Sequence, residues 1–138
     1  MKAMRGFTLI ELMIALVIVA ILASIAIPGY RNYILRTNRG DATAALLKIA
    51  AAQEKFYLQN DTYTTNLTDA PPDGLGIPTT ENGLYDLAVG AADTAGFTAT
   101  ATAIAGEAQA SDDDCQTFTI NQQGVRGSDP GDVDVCWR

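Results

Sequence analysis

The residues that could do chemistry are few, and their types argue against catalysis. No histidine occurs among 138 residues, so the usual proton carrier near neutral pH is missing. Serine is scarce, and no nucleophile with its base, paired-carboxylate cleft or cofactor loop can be assembled from the motifs present. The chain is therefore not expected to be an enzyme: it has no catalytic residue to name and no cofactor is implied. Asp112, Asp113 and Asp114, with Asp129, Asp132 and Asp134 further on, offer the hard oxygen ligands that calcium takes, but their spacing is not that of an EF-hand. Acidic loops are more often simply hydrated, so no metal is expected.

Cys115 and Cys136 are the only cysteines, too few and too far apart for a zinc site by themselves. A disulfide is the simpler reading, stabilising by roughly 3 kcal/mol in the chain-entropy model if the compartment is oxidising. A pair of buried thiols is the alternative. From Gly40 onward fifteen acids face only Lys48, Lys55, Arg126 and Arg138. Such a surface repels phosphates, and capture of DNA needs a basic stripe that these residues do not supply. Nucleic acid is not an expected partner.

These groups have to be positioned by something, and the apolar residues show what. Phe7 to Ile27 reads FTLIELMIALVIVAILASIAI, 21 residues with one charge. As a helix it spans about 32 Å, enough to cross a bilayer core. Lys2 and Arg5 precede it and Arg31, Arg36 and Arg39 follow, so the positive-inside rule alone does not orient it. A signal anchor, a cleaved secretory peptide with Ser24-Ile25-Ala26 at the cleavage spacing, and a buried core helix all compete. The absence of a polar face argues against a core helix, and Glu11 argues against a secretory signal.

Glu11 demands an account, because a carboxylate at the middle of a membrane helix costs roughly 2.5–3.5 kcal/mol. Arg5-Gly6-Phe7-Thr8-Leu9-Ile10-Glu11, followed by an unbroken apolar run, resembles the signal of type IV prepilins and pseudopilins. The resemblance implies cleavage after Gly6 by a prepilin peptidase, which leaves residues 1–6 as a leader. It also implies N-methylation of Phe7, and an assembly or register role for Glu11, with Thr8, through pairing with the new amino group. Residues 7–28 become the transmembrane and filament-core half of a helix. Pro28, which removes a hydrogen bond to the Ser24 carbonyl, is the expected helix bend. Ala20 stands where many relatives have glycine, so melting of the helix ahead of the proline is less favoured here.

Residues 29–138 are expected to form the globular domain. The helix continues to about residue 59, with Ala42, Ala45, Leu46, Ile49, Ala52, Phe56 and Tyr57 on one face. Residues 60–83 read as a loop rich in Thr, Asp, Pro and Gly. Strand patterns follow at Leu84–Val89, Phe97–Ile104 and Gln116–Asn121, within a sheet and disulfide region over 84–138. In the second, Phe97, Ala99, Ala101 and Ala103 share one face and Thr98, Thr100 and Thr102 the other. This predicts an α+β fold, a long helix packed on an antiparallel sheet of three to four strands, as in pilins.

The region closed by Cys115 and Cys136 resembles the disulfide-bounded region of type IV pilins. The ending Cys136-Trp137-Arg138, with Asn121 to Gly127, is similar to a branch of minor pilins that includes competence DNA receptors. The resemblance implies a structural subunit, minor or major, for pilus assembly, adhesion or twitching motility. Its implied partners are other pilin subunits, the peptidase, an inner-membrane assembly platform and lipid. It implies an inner-membrane location before assembly, N-terminus cytoplasmic, and a pilus or periplasmic pseudopilus afterwards. A secretion pseudopilin and a DNA-receptor pilin are the alternatives.

Overall fold

The computed structural model describes residues 7–138. The N-terminal positions read as leader, Gly6 among them, lie outside the described residues. A 52-residue helix, α1, runs over Leu9–Asn60 without interruption at Pro28. It ends where Asp61 turns to a φ of 54°, the left-handed conformation that closes helices, and the Asp61 amide donates to the Tyr57 carbonyl. The chain divides into two compact units, one ending at Ile34 and the other comprising Leu35–Arg138.

In the first unit α1 has no covered face. Leu9, Ile10, Leu16, Val17, Val19, Leu22 and Ile25 are all more than half exposed. A helix apolar all round, with no core of its own, is suited to lipid or to neighbouring helices rather than to water.

In the second unit, β1 (Tyr85–Gly90), β2 (Thr98–Ala103), β3 (Cys115–Asn121) and β4 (Arg126–Pro130) form one sheet in the order β1-β2-β3-β4. Every neighbouring pair is antiparallel. A short 3-10 turn, Ala108–Ser111, separates β2 from β3, and a one-turn helix, α2 (Val133–Cys136), follows β4. The pairing Leu87↔Ala101↔Phe118 and Val89↔Ala99↔Ile120 stacks the inward residues of three strands in register. Against them lie Ala42, Leu46 and Ile49 of α1, all fully buried. Small side chains, Ala42 on the helix and Ala99 and Ala101 on the sheet, are part of this core.

The three expected strands are present within a residue or two of the expected ends. The fourth lies in the return after Asn121, where Gly127, Asp129 and Pro130 obscure any strand pattern. Pro130 is at the end of this edge strand, a place where a missing N–H is tolerated. The 61–83 connection carries no regular element but is tightly organised around Asn66. Its amide oxygen accepts from the backbone N–H groups of Thr68 and Asp69, and its NH2 donates to Asp69 and to the Asp73 carbonyl. Asn66, which sits in an Asn-Leu-Thr sequon, is therefore a hub of loop structure.

Candidate functional site

At the start of α1, Phe7 is 86% exposed. Thr8 caps the helix: its Oγ1 accepts from the Glu11 backbone N–H at 3.3 Å, and its carbonyl accepts from Leu12 at 3.3 Å. Thr8-x-x-Glu11 is the sequence form of a capping box, and Thr8 supplies its half of the cap, a helix-starting role that an assembly reading alone does not reveal. The Glu11 side chain is exposed, and among the described residues its carboxylate has no ion-pair partner. Around it Ile10, Leu12, Met13 and Ile14 are at least half exposed, so this one acid stands in an otherwise apolar surface. At Pro28 the helix continues, and the nearby Ser24 hydroxyl donates to the Ile21 carbonyl at 2.7 Å.

The other concentration of chemistry is in the second unit. Cys115 and Cys136 form a disulfide, both fully buried, with Cα atoms 5.6 Å apart. Beside it Arg39 enters the interior. Its Nε and Nη2 donate to the two carboxylate oxygens of Asp112, each at 2.7 Å, the forked geometry that only arginine offers. Both side chains are about 95% buried, and Arg39 also reaches Asp114 at 3.5 Å and the Val135 carbonyl at 3.5 Å. The hydrogen bond to Asp112 raises the Arg39 pKa above its ordinary value against the opposing effect of burial.

Asp112 does more than pair. Its Oδ1 accepts from the backbone amides of Asp114 and Cys115, and its Oδ2 accepts from Gln109 Nε2 at 2.9 Å. Gln109 in turn donates to the Leu35 carbonyl on α1. One carboxylate thus ties the helix turn Leu35–Arg39 to the strand that begins with Cys115. The carboxylates considered as calcium ligands divide accordingly: Asp112 is buried in this network, Asp113 is exposed, and Asp114 also turns towards Arg39. Among the described residues no three acidic, cysteine or histidine side chains are gathered to hold a metal.

Tyr85 packs edge-on against Phe118, which packs edge-on against Trp137, with ring centroids 5.6 and 6.1 Å apart. The Trp137 indole N–H donates to the Gly127 carbonyl at 2.9 Å, and the Arg126 guanidinium lies 5.0 Å over its ring. Burial first, and then the field of Asp112, raise the Tyr85 pKa. Its hydroxyl and Gln109 Oε1 are buried without a well-formed hydrogen bond, although Gln109 is near enough to act on the phenol. Tyr63, whose hydroxyl donates to Glu54 at 3.1 Å, also has its pKa raised, chiefly by burial.

Arg39, Gln53 and Gln109 are the residues that sequence reasoning missed. The signal for the first two was present: Arg39, Ala42, Leu46, Ile49 and Gln53 continue one helical stripe at steps of three and four. Gln53 is fully buried and brackets Thr64, accepting from its N–H and donating to its carbonyl. No comparable pattern points to Gln109.

Comparison with known proteins joins both regions. Residues 1–27 match the family described as the prokaryotic N-terminal methylation motif, and residues 28–119 match that described as “Type IV minor pilin ComP, DNA uptake sequence receptor”. A fimbrial protein of Pseudomonas aeruginosa is 43% identical over 68 residues, which is 49% of this chain and 44% of that protein. The fimbrial protein EcpC of Eikenella corrodens is 35% identical over 97 residues, 69% of this chain and 60% of that one. The type IV major pilin protein PilA of Myxococcus xanthus is 43% identical over 60 residues, 44% of this chain and 27% of that one. The matched region thus spans less than two thirds of each relative's own length. The structure is similar to a type IV pilin from Shewanella oneidensis, with a TM-score of 0.51 and 25% identity, covering 75% of this chain and 98% of that one. An exposed apolar helix, a four-stranded sheet closed by a disulfide and family matches to both halves lead to one conclusion: the chain belongs to the type IV pilins, in the family described as type IV minor pilin ComP.

Proposed function

We propose that this pilin is made as a membrane-anchored precursor and becomes a minor structural subunit of a type IV pilus. Residues 1–6 are its leader, residues 7–28 its membrane and filament-core segment, and residues 29–138 its exported domain. Cleavage after Gly6 frees the amino group of Phe7, which is then methylated, and Pro28 provides the bend below the exported domain. The supporting observation is the α1 segment Leu9–Ile27, apolar on all faces and without internal cover. Such a surface exchanges lipid for sister helices at little cost. Glu11 then gains the cationic Phe7 amine of a neighbour, a compensation that a lone helix in lipid lacks.

The partners in this reading are other pilin subunits, the prepilin peptidase, an inner-membrane assembly platform and, before assembly, lipid. The N-terminus is cytoplasmic and the acidic domain lies outside, with adhesion or motility as the output of the finished filament. N-terminal mass spectrometry of native material tests the proposal. A first residue of N-methylated Phe7 is expected; an intact Met1 or a start at Ile27 would overturn it.

The family description favours a second reading, a receptor for DNA. Electrostatics oppose it here. Beyond Lys55 the cations are Arg126 and Arg138, and Arg126 is stacked on Trp137, amid the acids of the same unit. A gel shift of the full chain with duplex DNA at low salt discriminates: no retardation is expected, and salt-sensitive retardation would make the receptor reading the better one.

A further inference from the structure

Immediately after the apolar segment the surface of α1 changes character. Ile27 is the last apolar residue of that segment, and α1 continues through Tyr30, Arg31 and Tyr33. Tyr30 is 68% exposed and Tyr33 66% exposed, two large rings on the helix surface. Arg31 is exposed, and among the described residues it has no ion-pair partner, whereas Arg39 two turns later is buried and doubly paired. Two exposed aromatic side chains and one unpaired cation within a single helical turn form a distinct band.

Distance along the helix says what that band meets. At 1.5 Å per residue the apolar stretch from Leu9 to Ile27 covers about 28 Å, close to the hydrocarbon thickness of a bilayer. Tyr30, Arg31 and Tyr33 then lie about 4–9 Å past its end, the depth of the headgroup layer. Tyrosine is favoured at that depth because its ring is apolar and its hydroxyl wet, and arginine extends along the interface to reach phosphate oxygens. We propose that Tyr30, Arg31 and Tyr33 form a collar that binds anionic phospholipid headgroups in the leaflet beyond Ile27. The collar answers a specific difficulty, because the chain after Gly40 is strongly acidic and an anionic bilayer repels it. It supplies local attraction where the chain leaves the membrane, and the collar's lipids must be given up when a subunit is extracted.

This inference rests on the membrane-precursor reading, and the test separates the two. The full chain is reconstituted in phosphatidylcholine bilayers containing spin-labelled phosphatidylglycerol or spin-labelled phosphatidylcholine, and electron paramagnetic resonance measures the motionally restricted fraction of each. The unmodified chain is expected to prefer the anionic label by about fivefold, the scale of one arginine at an anionic surface. Arg31→Gln should bring the two labels within about twofold, while Arg31→Lys should retain most of the preference. Equal restriction of both labels by the unmodified chain, or an unchanged preference in Arg31→Gln, overturns the collar. Protease protection on the same vesicles reports separately on the span. A helix that is not protected refutes the membrane reading and the collar with it, whereas a protected helix with no anionic preference refutes the collar alone.

Discussion

The two units of this pilin depart from the usual placement of residue types in opposite ways, one by exposing apolar residues and the other by adding buried polar groups to an apolar core. In the first, Leu, Ile and Val lie at the surface around a single acid. In the second, Arg39, Asp112, Gln109 and Gln53 lie inside among alanines and aromatic rings. The physical consequence is a division of labour along one helix. The first unit makes no core, so its free energy is decided by what surrounds it, lipid or other helices. The second closes on itself, and its buried charges are tolerable because each finds a partner. Changes in the second unit should therefore register as stability of the isolated chain, and changes in the first as partition and assembly.

The largest expected effect is at Arg39. Arg39→Ala strands Asp112 in the interior, and removing one member of a buried pair costs about 3–5 kcal/mol. That is a large share of the roughly 5–15 kcal/mol by which a domain is stable. Thermal melting of the full chain in detergent should show it, with membrane insertion unchanged. A fall in insertion with no fall in melting temperature would reverse the comparison. Next is the Cys115–Cys136 bond: replacing both residues by serine should cost roughly 3 kcal/mol through the freed unfolded chain. Because Asp112 accepts from the Cys115 amide, the two losses should be less than additive in the combined variant.

Glu11 tests the other side. Glu11→Ala should leave the melting of the globular unit untouched and lower the amount of subunit in sheared filaments by roughly tenfold, the equivalent of about 1.4 kcal/mol of lost pairing. Since Thr8 and Glu11 have the sequence of a capping box, and the Glu11 amide donates to the Thr8 hydroxyl, a helix-starting role is the rival explanation. Glu11→Gln separates them, because glutamine keeps the cap and loses the charge. Wild-type incorporation of Glu11→Gln would assign this residue to the cap instead of the filament.

How far the sequence revealed this division depends on what carried the signal. The covered faces were legible because periodicity reports burial of apolar residues: Ala42, Ala45, Leu46 and Ile49 of the helix and Ala99 and Ala101 of β2 are buried as their spacing implied, with Ala103 half-buried. β4 was hidden, because Arg126-Gly127-Ser128-Asp129-Pro130 has no strand composition and is held in place by its pairing with β3 and by Trp137. The charge network was hidden for a different reason. Arg39 and Asp112 are 73 positions apart, and nothing local distinguishes a buried aspartate from its solvated neighbour Asp113. Hydration was the reasonable expectation for all three consecutive acids, and only the forked contact of Arg39 shows which one is inside.

The smallest effect at neutral pH, and the finest test of the enclosed unit, is at Tyr85. Its hydroxyl is buried without a well-formed hydrogen bond, so Tyr85→Phe removes a poorly satisfied group and should change stability at pH 7 by no more than about 1 kcal/mol. The alkaline side differs. The folded Tyr85 pKa is raised by burial and by Asp112, whereas the unfolded phenol titrates at its ordinary value near 10. Above about pH 10 the unfolded chain therefore gives up a proton that the folded chain retains, and stability falls as pH rises, by up to about 1.4 kcal/mol per unit for this one group. Tyr63 contributes with the same sign and remains in the variant, so the loss in Tyr85→Phe should be shallower rather than absent. Melting curves of the full chain from pH 8 to 11 give the comparison directly. Parallel curves for the two proteins would mean that the Tyr85 site admits water freely, contrary to a self-enclosed second unit.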